Sequence, residues 1–199
     1  MKNKLTIIGA SGHGKVVADI ARLDGYESIV FLDDNKEVSE CAGYPVIGDT
    51  TADPVGDVFI AIGNADLRRK MMEQFSGHYQ PVLIHPNAVV ARGVEIGAGS
   101  VVMAGAVINP ESQLGRGCIV NTSSSIDHDC IVGDFVHVAV GTHVCGTVTV
   151  GDFVWIGAGA TVSNNVSICS ECMIGAGSVV IEDISIPGTY VGCPAKKLK

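Results

Sequence analysis

Asp127, His128 and Asp129 stand in succession and place an imidazole between two carboxylates. A histidine so placed is suited to general-base work near neutral pH. A carboxylate partner fixes the ring tautomer and stabilises the imidazolium that forms when a proton is taken. His137 and His143 follow within two further turns of the same pattern. Near the other end, Gly9-Ala-Ser-Gly-His-Gly14 spaces three glycines around Ser11, Gly12 and His13, and two later apolar runs close on Asp33-Asp34 and on Gly63-Asn64. Glycines let a backbone approach a ligand closely, and a helix N-terminus offers an anionic or polar group its unpaired N–H donors. These types and spacings suggest proton abstraction in one half of the chain and ligand binding in the other.

The elements that must position the histidines announce themselves by period. From Ile84 to Ile186 an aliphatic residue falls on every sixth position without a gap. The residue after it is often Gly, as at Gly97, Gly115, Gly133, Gly151, Gly157 and Gly175, where a backbone corner is expected. Four residues after it comes a small or β-branched side chain, such as Ser100, Ala106, Cys118, Ser124, Cys130, Thr142, Ala160, Cys172 or Ser178. Strand alternation points both of these inward and the residue between them outward. Each hexad is thus a short strand and a turn, three hexads make a triangular coil, and about six coils stack into a β-solenoid. His128 and His137 are half an eighteen-residue coil apart, so they lie on different sides of the prism. His137 and His143 take outward positions.

Residues 1–82 read differently. Leu5–Gly9 is a buried strand that runs into the glycine turn and then a helical pattern with Val16, Val17, Ile20, Ala21 and Leu23. Strands Ile29–Leu32 and Val58–Ile62 follow, and a helix over 66–75. Their ends bring Ser11, Gly12, His13, Asp33, Asp34 and Gly63 to one carboxyl edge, where open α/β sheets bind ligands. The spacing G-x-x-G-x-G is not the dinucleotide fingerprint, which disfavours NAD. The expected fold is a small Rossmann-like α/β domain over 1–82, of three or four parallel strands, followed by an all-β solenoid over 83–199.

Composition narrows the function classes. The net charge is −8 with no basic cluster, which argues against nucleic acid. Hydrophobic residues make up 47% of the chain, yet no apolar run approaches the roughly 20 residues that span a bilayer. No leader pattern is visible, so no membrane insertion and a cytoplasmic location are expected. Seven cysteines, several on inward hexad positions, read as reduced packing residues. Cys169-x-x-Cys172 has no second pair, and His137 and His143 are spaced His-x5-His rather than the His-x4-His of gamma-type carbonic anhydrases. No metal is expected.

The hexad pattern resembles the hexapeptide-repeat acyltransferases, which implies a left-handed parallel β-helix and a homotrimer. Gly9-Ala-Ser-Gly-His-Gly14, Phe31-Leu-Asp-Asp34 and Ile60-Ala-Ile-Gly-Asn64, followed by hexads, resemble the bacterial PglD/NeuD family over nearly the whole chain. That resemblance implies an acetyl-CoA-dependent acetyltransferase acting on the 4-amino group of a nucleotide sugar, here a UDP-linked 4-amino-4,6-dideoxy sugar. O-acetylation of sialic acid or another sugar hydroxyl stays open, as does a non-catalytic binding scaffold. By resemblance His128 is the base and Asp129 supports it. Several relatives carry Glu where Asp129 stands, a longer reach. The nucleotide sugar would touch Ser11, Gly12, His13, Asp33, Asp34 and Gly63. Acetyl-CoA would meet His137 and the backbone at Ala158 and Ala176. The ending Val191-Gly-Cys-Pro-Ala-Lys-Lys-Leu-Lys199 resembles tails whose lysines lie near the CoA phosphates. His128 and His137 would then meet across the cleft between two neighbouring subunits.

Overall fold

The computed structural model describes residues 2–198, so Lys199 of the tail lies outside the described residues. The chain divides into two compact units, Met1–Pro86 and Asn87–Lys199.

The first unit is a sheet with two helices. Strands β1 (Lys2–Ile8), β2 (Tyr26–Leu32), β3 (Glu40–Cys41), β4 (Tyr44–Gly48) and β5 (Asp57–Ile60) lie in the order β3-β4-β2-β1-β5. β1 runs parallel to β2 and β5, β2 runs parallel to β4, and β3 pairs antiparallel with β4. Leu5, Ile7, Phe31, Leu32, Val58 and Phe59 are buried, which is why the parallel strands read as unbroken apolar runs. Helix α1 (Gly12–Leu23) buries Val17, Ala18, Ile20 and Ala21. Gly14 has no alternative, because a Cβ there would strike the carbonyl oxygen of Gly9 and the Phe31 ring. The β3–β4 hairpin was not expected. Its turn holds Ala42 at φ 52° and Gly43 at φ 80°, both left-handed, as a tight hairpin requires. β5 stops at Ile60, two residues before the expected end. Asn64 then caps helix α2 (Ala65–Gln74), its side-chain oxygen accepting the Leu67 N–H at 2.9 Å.

The second unit is a parallel β-helix. Two-residue strands pair with those one coil on, as Val107–Ile108 with Ser125–Ile126 and Ile119–Val120 with His137–Val138. They form three flat faces, one of which carries six strands. The aliphatics Val102, Ile108, Val120, Ile126, Val138, Val144, Ile156, Val162 and Ile174 are buried in columns, and so are the small residues between them, Ser100, Ala106, Cys118, Ser124, Cys130, Thr142, Ala160, Cys172 and Ser178. Several of the small residues also close a backbone account. The hydroxyls of Ser100 and Thr142 and the thiols of Cys118 and Cys130 each donate to the first corner carbonyl of the next coil, fifteen residues on. Each such bond gives a corner carbonyl a side-chain donor from the coil before it.

Two expectations about the hexad need correction. The glycine that follows each aliphatic is not the left-handed residue of the corner. That conformation sits two positions later, at Glu111, Ser123, Asp129, Phe135, Thr147, Phe153, Asn165 and Glu171, with φ between 56° and 62°. Glycine follows the aliphatic because the coils touch there: a Cβ on Gly157 would lie 2.6 Å from the Ala176 nitrogen and from the Ile174 oxygen. The second correction is at the end of the period. Ile168 bridges Ile184, and Cys172–Ile174 pairs with Gly188–Tyr190, so the last coil holds sixteen residues. Ile184 takes the inward place, and Ile186 is 59% exposed.

Candidate active site

The corner Asp127–Cys130 joins the strands Ser125–Ile126 and Ile131–Val132. His128 projects from it, 54% exposed, with Nδ1 2.6 Å from Asp129 Oδ2. A carboxylate only accepts, so the ring proton sits on Nδ1 and the lone pair on Nε2 is left open. The short aspartate reaches the ring from a left-handed backbone, φ 59°. The hydrogen bond to Asp129, and then the charge of Asp127, raise the His128 pKa above its ordinary 6.5. The imidazole lies against Gly146 of the next coil, where a Cβ would come 2.6 Å from Nε2.

Asp127 does not touch the ring. Its Oδ1 accepts the His128 backbone N–H at 2.9 Å and Asn109 Nδ2 at 2.7 Å, and these two bonds lower its pKa, the Asn109 bond first. Ser112 Oγ donates to the Asp127 carbonyl at 2.6 Å, and the Asp129 N–H donates to the Pro110 carbonyl at 3.1 Å. The preceding coil therefore holds the corner that carries His128 at three points. Asn109 was missed by inspection of the 127–129 cluster, although it is the residue eighteen positions before Asp127 and so its neighbour in the stack.

His137 belongs to the face formed by Val101–Val102, Ile119–Val120, Trp155–Ile156 and Cys172–Ile174. The corner that carries His128 joins the other two faces, so one chain does not bring His128 and His137 together. His137 occupies an outward register position as expected, but it is only 8% exposed. The Trp155 ring covers it with centroids 4.4 Å apart, and Asn121 Nδ2 lies 3.2 Å from its Nε2. His143 is exposed and shares a 2.9 Å hydrogen bond with Ser125. Ala158 and Ala176 are exposed at successive corners beside Trp155 and Met173, where small side chains leave the backbone open.

In the first unit, the chosen residues do gather at the carboxyl ends of β1, β2 and β5. Ser11 is the N-cap of α1 but makes no side-chain capping bond, and Ser11 and Gly12 are exposed. Asp33 spends one oxygen on the Ala10 N–H at 2.6 Å and the other on the Asn35 N–H at 2.8 Å. Asp34 accepts from both the N–H and the hydroxyl of Thr50. Arg68 Nη1 donates to the carbonyl oxygens of Gly63 and Ile62, each at 2.8 Å. Arg68 itself is 1% exposed. His13 is half-buried with Nε2 closed from solvent and without a hydrogen-bond partner. Burial, helped by the Arg68 charge, pushes its pKa down to about 4, so it is neutral at physiological pH. A cavity of about 390 Å³ opens beside Asp33, between the residues after β2 and strand β4, lined by Lys36, Ser39, Val46 and Asp49 among others. It depends on the unforeseen hairpin.

Cys41, Cys118, Cys130 and Cys172 are buried, and burial pushes Cys172 up to about 11, with a contribution from Cys169. Cys145 and Cys169 are half-buried and Cys193 is exposed, so not every thiol is sealed in a hexad. Among the described residues no three His, Cys, Asp or Glu side chains cluster to hold a metal ion. No helix among them is long and apolar enough to cross a membrane.

A small α/β unit whose strand ends gather glycines and acids, followed by a hexad β-helix with a carboxylate-supported histidine on an open corner, is the build of a hexapeptide transferase. Comparison with known proteins agrees. The PglD N-terminal domain matches residues 4–75, and bacterial transferase hexapeptide repeats match 80–110 and 147–182. The acetyltransferase domain of PglB from Neisseria gonorrhoeae FA1090 is 43% identical, with a TM-score of 0.94 over 98% of this chain and 99% of that one. Its complex with acetyl coenzyme A is 44% identical, with a TM-score of 0.93 over 98% of both chains. PerB from Caulobacter crescentus, solved with CoA and GDP-perosamine, is 35% identical, with a TM-score of 0.93 over 98% of this chain and 97% of that one. UDP-N-acetylbacillosamine N-acetyltransferase of Bacillus subtilis is 35% identical over 114 residues, which is 52% of each protein, so the chain spans about half the length of that relative. The chain belongs to the PglD-type family of hexapeptide-repeat, acetyl-CoA-dependent acetyltransferases.

Proposed function

We propose that the protein transfers acetyl from acetyl-CoA directly to the 4-amino group of a UDP-linked 4-amino-4,6-dideoxy sugar. The observation that carries this is His128, whose Nδ1 is tied to Asp129 at 2.6 Å while Nε2 keeps an open lone pair. His128 takes a proton from the amine as the nitrogen attacks the thioester carbonyl, Asp129 stabilises the imidazolium, and as the C–S bond breaks the imidazolium returns that proton to the departing sulfur, so that CoA leaves as the thiol. Ser11, Gly12, His13, Asp33, Asp34 and Gly63 form the nucleotide-sugar side. His13 serves it as a neutral group, and Asp33 mainly shapes the loop. His137 and the backbone at Ala158 and Ala176 form the acetyl-CoA side. Because His128 and His137 stand on opposite sides of one prism, the complete site is shared between neighbouring chains of a homotrimer. The relatives support amine acetylation: one is named an N-acetyltransferase of a UDP sugar, and another holds GDP-perosamine.

Thiol release from acetyl-CoA, measured across UDP-, GDP- and dTDP-linked 4-amino sugars and sialic acids, tests the assignment. Release with a UDP 4-amino sugar is expected, and release with sialic acid alone would refute it. The raised His128 pKa adds a pH signature. A base works unprotonated, so kcat/KM rises with pH, and its acid limb lies above 6.5 because protonation is favoured in this setting. Asp129→Asn removes the carboxylate whose hydrogen bond contributes most to that shift, so the limb moves to lower pH. A limb that stays in place in that variant would separate Asp129 from the titrating group.

A further inference from the structure

Asn121 follows the inward residue Val120 and begins the corner that leads to Ser125. An asparagine amide presents an oxygen that accepts and a nitrogen that donates, and the two ends look alike until a neighbour of fixed character decides between them. That neighbour is the backbone N–H of Thr122, which lies 2.8 Å from Asn121 Oδ1 and can only donate. The other end, Nδ2, must then be the group 3.2 Å from His137 Nε2. Two donors cannot share a hydrogen bond. His137 Nε2 is therefore the acceptor, and the ring is neutral with its proton on Nδ1.

We propose that Asn121 is a positioning residue, which holds His137 as the neutral Nδ1–H tautomer under Trp155 and occupies the lone pair through which that ring could act as a base. The proposal rests on the reading of His137 as part of the acetyl-CoA side. It explains why two histidines of the same tautomer do different work. At His128 the partner is a carboxylate on Nδ1, which leaves Nε2 open. At His137 the partner is an amide on Nε2, which closes it. Protonating His137 at Nε2 would set N–H against N–H, and the amide would have to turn over and abandon Thr122. Trp155 at 4.4 Å and the ladder neighbour Ile119 keep the ring from swinging away.

Nitrogen-15 NMR of histidine-labelled protein reads the tautomer without any substrate. In the unmodified chain His137 should show a pyridine-type Nε2 and a pyrrole-type Nδ1. Asn121→Asp keeps the shape and the acceptor for Thr122 but turns an oxygen toward Nε2, so that nitrogen should become pyrrole-type. Asn121→Ala should give two exchanging tautomers. Pyrrole-type Nε2 in the unmodified chain, or no change in either variant, would overturn the proposal. In kinetics, Asn121→Asp should raise KM for acetyl-CoA about tenfold, the worth of one well-placed hydrogen bond, with a smaller change in kcat. If the spectra change as expected and that KM does not move, the tautomer assignment holds and His137 loses its place on the acetyl-CoA side.

Discussion

Replacing His128 by alanine is expected to leave the fold and the affinity for acetyl-CoA nearly intact while turnover falls by roughly 10²- to 10⁴-fold, the usual worth of a positioned general base. The side chain is more than half exposed and fills no part of the inner columns, so nothing collapses when it is removed. The corner that carries it is held by its backbone, through Asp127 and Pro110, and those bonds survive the substitution. His143→Ala is the control. That ring is also exposed to solvent but has a serine hydroxyl as its partner, and its loss should change turnover only slightly. The proposed sharing of the site between subunits adds a second readout. Under that proposal, reassembled mixtures of His128→Ala and His137→Ala chains should regain activity, because each mixed trimer would hold one interface with both histidines intact. A His128→Ala enzyme with near-normal kcat at neutral pH would remove the base from the mechanism and leave an already neutral amine to attack unaided.

The parts of the fold that repeat were legible from residue types, and the parts that occur once were not. A six-residue period names its own inward positions, since only a column of aliphatics can fill a narrow prism, and the buried Ile126 and Val138 follow directly. The Asp127-His128-Asp129 cluster was visible because three polar groups interrupt that period together. What joins successive coils was harder. Asn109 supports Asp127 from eighteen residues away, and Asn121 meets His137 from sixteen, so neither pair is adjacent in the chain. The outward register of His137 gave no sign of its burial, which depends on the Trp155 ring above it. The two-residue slip that turns Ile186 outward cannot be read from a period that Ile186 itself continues. The β3–β4 hairpin was hidden because its strands are short and its turn, Ala42-Gly43, lacks the asparagine or aspartate that usually marks left-handed positions.

The two kinds of hexad glycine lead to the largest expected effect on stability. Gly157 does not have a left-handed φ, so a side chain is excluded there by the coil that follows, whose Ala176 nitrogen and Ile174 oxygen lie where a Cβ would stand. The Gly157 N–H also donates to that Ile174 oxygen at 2.8 Å, so the coils cannot part without losing ladder bonds. Gly157→Val should cost about 3 kcal/mol or more, the upper range of overpacking, and lower the melting temperature by roughly 10 °C. Gly159 is the opposite case, with φ 67° and open space around its Cβ position. Gly159→Asn should be close to neutral, because asparagine tolerates the left-handed region that its counterpart Asn165 already occupies. Gly159→Val should cost about 1–2 kcal/mol through backbone strain alone. Thermal melts followed by circular dichroism rank the three variants. If Gly157→Val melted with the unmodified protein, close coil contact would not be the reason for glycine after the aliphatic, and the corner geometry would have to be assigned again.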